Sequence, residues 1–174
     1  MKNLFIVIVF LIGANATFAQ DSEEERSLLD EVTATLDNDS LSLARDAEEV
    51  RGLVRAYLEI FNVRDSSKLA QDIFTPSAQV ANFVLPTSAA IEELFDRLYA
   101  GMESNWDHST INKIEVCIAG PGLAFVDLNY SRIDDVGEPI QPAERASLLI
   151  IREIDEQWRI SAVHPHDAAT KVRC

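Results

Sequence analysis

Apolar residues recur along this chain in two rhythms. Val50, Leu53, Val54, Tyr57, Leu58 and Phe61 fall three and four positions apart, which places them on one face of a helix. Asp46, with Glu49 three residues on, reads as a capping box that opens this helix, and 62–65 closes it. A short second helix is predicted from Ser66 or Ser67 through Leu69, Ile73 and Phe74, stopped by Thr75 and Pro76. A strand follows over 78–83. Thr87 or Ser88 then caps a third helix whose buried stripe is Ile91, Leu94, Phe95, Leu98 and Met102, with Tyr99 at its edge. After Trp106 the rhythm changes to two, the period of a strand with one buried face. Strands are predicted over 110–118, 123–132, 143–154 and 158–164, separated by turn signals such as Gly120-Pro121-Gly122 and Asp155-Glu156-Gln157. Helices first and consecutive strands after make an α+β layout: a curved antiparallel sheet wrapped around three helices.

The N-terminal end follows another pattern. Lys2 precedes an unbroken apolar run from Leu4 to Ile12, then small residues up to Ala19. The run is too short to span a bilayer, which takes about 20 apolar residues. It reads as a signal peptide over 1–19, cleaved after Ala19, with Ala16 as the alternative. The expectation is a secreted or periplasmic protein with no membrane association once the signal is removed. Leu28, Leu29, Val32 and Leu36 suggest a short helix in an extension over 20–45. The domain itself is read over 46–167, with a tail over 168–174.

Charge and cysteines narrow the partners. A net charge of −14 on 174 residues argues against nucleic acid and anionic membranes, because phosphate groups need a cationic face. The only two cysteines, Cys117 and Cys174, are candidates for a disulfide in an oxidising compartment.

Four segments in this order resemble a known superfamily. Arg55-Ala56-Tyr57-Leu58-Glu59-Ile60-Phe61-Asn62-Val63-Arg64-Asp65 is similar to the first helix of nuclear transport factor 2-like proteins, and Ile73-Phe74-Thr75-Pro76-Ser77-Ala78-Gln79-Val80 to the approach to their first strand. Leu123-Ala124-Phe125-Val126 resembles their central strand, and Trp158-Arg159-Ile160-Ser161-Ala162-Val163-His164 the last strand of the SnoaL-like branch. The resemblance implies a cone-shaped domain, a pocket between the helices and the concave face of the sheet, and a homodimer through the outer face.

Ketosteroid isomerases on this fold use a tyrosine, a basic aspartate and a protonated aspartate. By resemblance, Tyr57 matches the tyrosine. The base position reads Asn82, and the protonated aspartate falls near Leu148 or Leu149, so that acid–base set is not retained. Three catalytic candidates remain. His164 closes a row with Trp158, Ile160 and Ala162 that strict alternation places on one face, where it could act as acid, base or ligand anchor. Tyr57 is either a pocket phenol or a core tyrosine. Asp127 is a pocket carboxylate if its face of the strand is concave, and a surface or interface residue if convex. Tyr57, Asn82, Trp106, His108 and His164 are the candidate lining of the pocket. The His164-Pro165-His166-Asp167 run resembles a metal site in composition only, and neither a metal nor a cofactor is expected. The expectation for function is a domain that holds a small, largely apolar molecule. A pocket enzyme of cyclase, dehydratase or isomerase type and a non-catalytic assembly module are the alternatives.

Overall fold

The computed structural model describes residues 30, 32–35 and 39–170. The expected signal peptide, Leu28, Leu29, Leu36 and Cys174 lie outside the described residues. The chain divides into two units, 1–44 and 45–174. In the first, the described residues are helical and exposed, Leu41 and Leu43 among them.

In the second unit the first helix, α1, covers 45–62. Its predicted face holds: Val50, Val54, Leu58 and Phe61 are buried, and Leu53 and Tyr57 pack beside them. The predicted capping box does not form. Residues 39 and 40 are already helical, so Asp46 and Glu49 sit inside a helix, and both face Arg45 at 3.7 and 3.8 Å.

Asp65, rather than Ser66 or Ser67, caps the second helix, α2 (Ser66–Lys68); its side chain accepts from the Lys68 N–H at 2.9 Å. A π-helical turn (Leu69–Ile73) follows and buries Leu69, Ala70 and Ile73. Arg159 then donates to the Gln71 carbonyl at 2.5 Å and to the Phe74 carbonyl at 3.3 Å, supplying partners where the turn ends.

Strand β1 (Phe74–Val80) begins earlier than expected, and Thr75 and Pro76 lie within it. Its ladder to the last strand is irregular between Phe74 and Gln79, so the missing N–H of Pro76 falls in a stretch without regular pairing. A turn at residues 81 and 82 ends β1, and β2 (Phe83–Leu85) returns against it. The expected strand over 78–83 is thus a hairpin. Thr87 caps α3 (Ser88–Ala100), accepting from the Ala90 N–H at 3.2 Å; Ile91, Leu94 and Phe95 form its buried stripe.

Four long strands complete the sheet: β3 (Trp106–Gly120), β4 (Leu123–Asp134), β5 (Arg145–Ile154) and β6 (Gln157–His166). The sheet is open, curved and six-stranded, in the order β2-β1-β6-β5-β4-β3. It is mixed rather than wholly antiparallel, because β1 runs parallel to β6. Apolar periodicity specifies which face of a strand is buried and is silent on its direction. The β5–β6 hairpin turns on Asp155 and Glu156, at φ 51° and 61°, the left-handed pair of a tight turn. The inner side chains of β4 to β6 close on α1 and α3 in one core around Phe61, Phe74 and Phe95. Among the described residues no helix is long and apolar enough to cross a membrane.

Candidate functional site

The concave face of the sheet leaves a cavity of about 180 Å³. The helices contribute Tyr57, Phe61, Leu94, Phe95 and Leu98, and the β1–β2 hairpin contributes Val80, Ala81 and Phe83. From the long strands come Tyr130, Arg132, Ser147, Val163 and Pro165. A further void of about 30 Å³ shares the Tyr57, Phe61, Tyr130 and Ser147 walls and reaches Leu58 and Leu128. The rings form a connected set: Phe61 meets Tyr57 at 6.1 Å and Phe95 at 6.2 Å, and Tyr57 meets Phe74 edge-on at 6.0 Å.

The polar part of this wall comes from α1, β4 and β5. Tyr130 and Arg132 are two apart on β4 and therefore share a face. Ser147 pairs with Leu128, one register step along the same face. Burial pushes the Tyr57 phenol far above its ordinary value, with Tyr130 and Tyr99 adding to the rise and Arg132 opposing it. Tyr57 is thus a neutral hydroxyl at every physiological pH. Tyr99 is raised in the same way by burial, and the Asp65 and Asp96 charges reinforce the shift. Its hydroxyl is buried with no hydrogen-bond partner among the described residues.

Arg132 is anchored on Glu103. Its Nη1 donates to both carboxylate oxygens of Glu103, at 3.1 and 2.8 Å, while its Nε–H is buried with no acceptor among the described residues. Arg145 donates to the same carboxylate at 3.3 Å and to the carbonyls of Ile140, Gln141 and Pro142. Burial opposes the charge of Glu103. Its own backbone N–H, then Arg132 and Arg145, outweigh that penalty and hold the carboxyl below its ordinary range. Burial lowers the Arg145 value, and the like charge of Arg132 lowers it further.

Of the residues expected in the pocket, Tyr57 lines it. His164 does not, and the reason is local. Ile160 pairs with Ile151, but Ala162 pairs with Ile150, so Ser161 is an extra residue in β6. A bulge of this kind reverses the alternation beyond it. Trp158 and Ile160 face inward before the bulge; Val163 and Pro165 face inward after it. His164 is turned to the outer face opposite Leu148. Asp127 lies on that outer face as well, the convex alternative, and its Oδ1 is 3.0 Å from Nε2 of His166. His164 and Asp127 therefore do not meet Tyr57.

Asn82 is exposed in the β1–β2 turn and is not among the residues that line the cavity. Trp106 is buried core: it meets Phe61 at 5.7 Å, donates to Ser109 Oγ at 3.2 Å and carries the Arg64 guanidinium over its ring at 4.9 Å. His108 is half-exposed on β3 and bonded to Asp107 at 2.8 Å. Sequence reasoning missed Tyr130, Arg132 and Ser147. Tyr130 was legible, since it continues the Ala124, Val126, Leu128 stripe. Among the described residues no group of three or more His, Cys, Asp or Glu could hold a metal ion.

A larger trough of about 600 Å³ runs along α1 and β3, but it is an open surface groove. Many of its polar groups are already paired. Arg51 meets Glu48 at 2.6 Å and Lys113 meets Glu115 at 2.5 Å. The Asn62 side chain bonds both the N–H and the C=O of Ser109, at 2.8 and 2.9 Å, and so closes part of the exposed edge of β3. The cavity under the concave face, less open and more apolar, is the better candidate.

A family model described as NTF2-like protein (DUF6841) matches residues 47–168. The chain belongs to this family. Solved structures agree on the NTF2-like fold. An NTF2-like protein with a cystatin-like fold from Novosphingobium aromaticivorans is 21% identical, with a TM-score of 0.59 over 74% of this chain and 88% of that one. A proposed scytalone dehydratase from the same species is 12% identical, with a TM-score of 0.57 over 77% and 93%. A proposed calcium/calmodulin-dependent protein kinase II association domain from Xanthomonas campestris is 18% identical, with a TM-score of 0.52 over 67% and 84%. These likenesses show the fold alone, which carries enzymes and assembly modules alike. No curated protein sequence matches the chain.

Proposed function

We propose that this NTF2-like domain is an exported binding protein whose cavity holds a small, largely apolar molecule. The observation that supports this is the composition of the cavity wall. Phe61, Phe83, Phe95, Leu94, Leu98 and Val163 make it apolar, and its polar groups are tyrosine and serine hydroxyls and one guanidinium. No carboxylate or imidazole stands among these lining residues, so proton abstraction has no base on this wall. That favours binding over the cyclase, dehydratase or isomerase reading, although a relative of this fold is described as a dehydratase.

Export rests on the apolar run and small residues of 1–19, and places Cys117 and Cys174 where a disulfide forms. A homodimer through the outer sheet face is part of the same reading. Leu148, Ile150 and Phe125 are half-buried there, and a relative of this fold is described as an association domain.

Native mass spectrometry on the protein purified from its own host tests the binding reading. A co-purifying small molecule should be lost in Leu98→Trp, which fills the cavity from a position 42% exposed, and kept in His164→Ala. Loss in His164→Ala alone would move the site to the outer face.

A further inference from the structure

We propose that the occupant of the cavity is a small aromatic carboxylate, its ring among Phe61, Leu94 and Phe95 and its carboxylate toward Tyr57, Tyr130 and Arg132. This rests on the binding reading above and gives it a ligand class.

Size is the first argument. An apolar cavity of roughly 150 Å³ accommodates benzene. The space here is about 180 Å³ with about 30 Å³ beyond it, enough for one ring and one small substituent. Shape is the second. Phe61, Phe83 and Phe95 offer ring faces and edges, which suit a flat aromatic guest.

Polarity is the third argument. Tyr57, Tyr130, Ser147 and Arg132 can all donate a hydrogen bond. The 30 Å³ void is lined by Tyr57, Tyr130 and Ser147 together with Leu58, Phe61 and Leu128, and Arg132 stands on the adjoining wall of the larger cavity, so a small substituent can extend toward these hydroxyl-bearing residues and the guanidinium. Arg132 adds a guanidinium to the cavity wall, anchored by its Nη1 on Glu103.

Charge separates a carboxylate from a neutral acceptor. Arg132 and Arg145 share the single carboxylate of Glu103, so this group of three keeps one positive charge in partly buried surroundings. A carboxylate in the cavity would balance that charge, and a charge-assisted bond to Arg132 is among the stronger kinds. An ammonium at the same place would meet like charge.

NMR titration of the isotopically labelled protein with benzoate, toluene and benzylammonium tests the assignment. Benzoate should shift the amides of Tyr57, Phe95, Tyr130 and Val163 and bind about tenfold or more tighter than toluene. Benzylammonium should bind weakest. Tyr57→Phe, which keeps the ring and removes the hydroxyl, and Arg132→Gln should each bring benzoate toward the toluene level and leave toluene unchanged. Equal affinity for toluene and benzoate, or a preference for benzylammonium, overturns the carboxylate while the cavity reading stands. Shifts confined to the α1–β3 groove, or no shift with any probe, overturn the cavity reading and the carboxylate with it. Tyr57→Phe keeps the test decisive if Arg132→Gln does not fold.

Discussion

The two faces of strands β4 to β6 differ in burial and in chemistry. On the inner face, Val126, Leu128, Leu149, Ile151 and Ile160 are almost wholly removed from water, and the row ends in donors that border a cavity. On the outer face, Asp127, Asn129, Leu148, Ile150, His164 and His166 are half-buried, mixing an ionisable pair with aliphatic side chains. Residues one position apart on the same strand therefore belong to different chemistries. Which of them belongs to which is decided by parity, and on β6 parity is reset by the one extra residue at Ser161.

That dependence explains what the sequence made legible. The helix faces are set by periodicity alone, and Val50, Val54, Leu58 and Phe61 bury as their spacing requires. The inner stripe of β4, Ala124 to Tyr130, follows equally well from strict alternation. His164 failed because a bulge has no signature in residue type: Ser161 is as acceptable in a regular strand as at a bulge. Arg132 was hidden for a different reason. An arginine in a strand normally reads as solvated, and only the Glu103 carboxylate, distant in sequence, lets it sit beside a cavity.

The largest expected effect comes from breaking the inner face. Phe95 is 1% exposed and packs edge-on or tilted against Phe61, Phe74 and Tyr99. Phe95→Ala should cost about 3–5 kcal/mol in urea unfolding. A cost below about 1 kcal/mol would mean that the inner face is not the core.

The outer face should respond in assembly rather than in folding. Leu148→Asp and Ile150→Asp should convert a dimer to monomer in sedimentation equilibrium, with the cavity still able to take up its ligand. A dimer that persists in both variants would place the contact elsewhere.

Glu103→Gln separates the donor end from the rest of the inner face. The folded carboxyl is held below its ordinary range, so its contribution to stability is present at neutral pH and disappears as the pH falls through the folded value. The wild type should exceed the variant by about 1 kcal/mol near pH 7, the modest figure expected of a partly exposed pair. The two melting curves should converge in acid. A gap that widens in acid would reverse the sign and remove Glu103 as the counter-charge of Arg132 and Arg145.

The smallest effect is expected at His166 and Asp127, and its size carries information that the larger ones do not. In a lone protomer the pair is a cross-strand contact on a half-exposed face, so His166→Asn should cost about 0.5 kcal/mol and leave the cavity unchanged. If a second copy covers the outer face, the pair loses water on all sides. Asp127 would then be a buried carboxylate deprived of its partner, and the cost should rise to about 2 kcal/mol and grow with protein concentration. Melting His166→Asn and wild type across a hundredfold range of concentration therefore reads out the state of the outer face from one side chain. A small, concentration-independent difference leaves that face open to water, and with it the contrast between a filled inside and a bare outside.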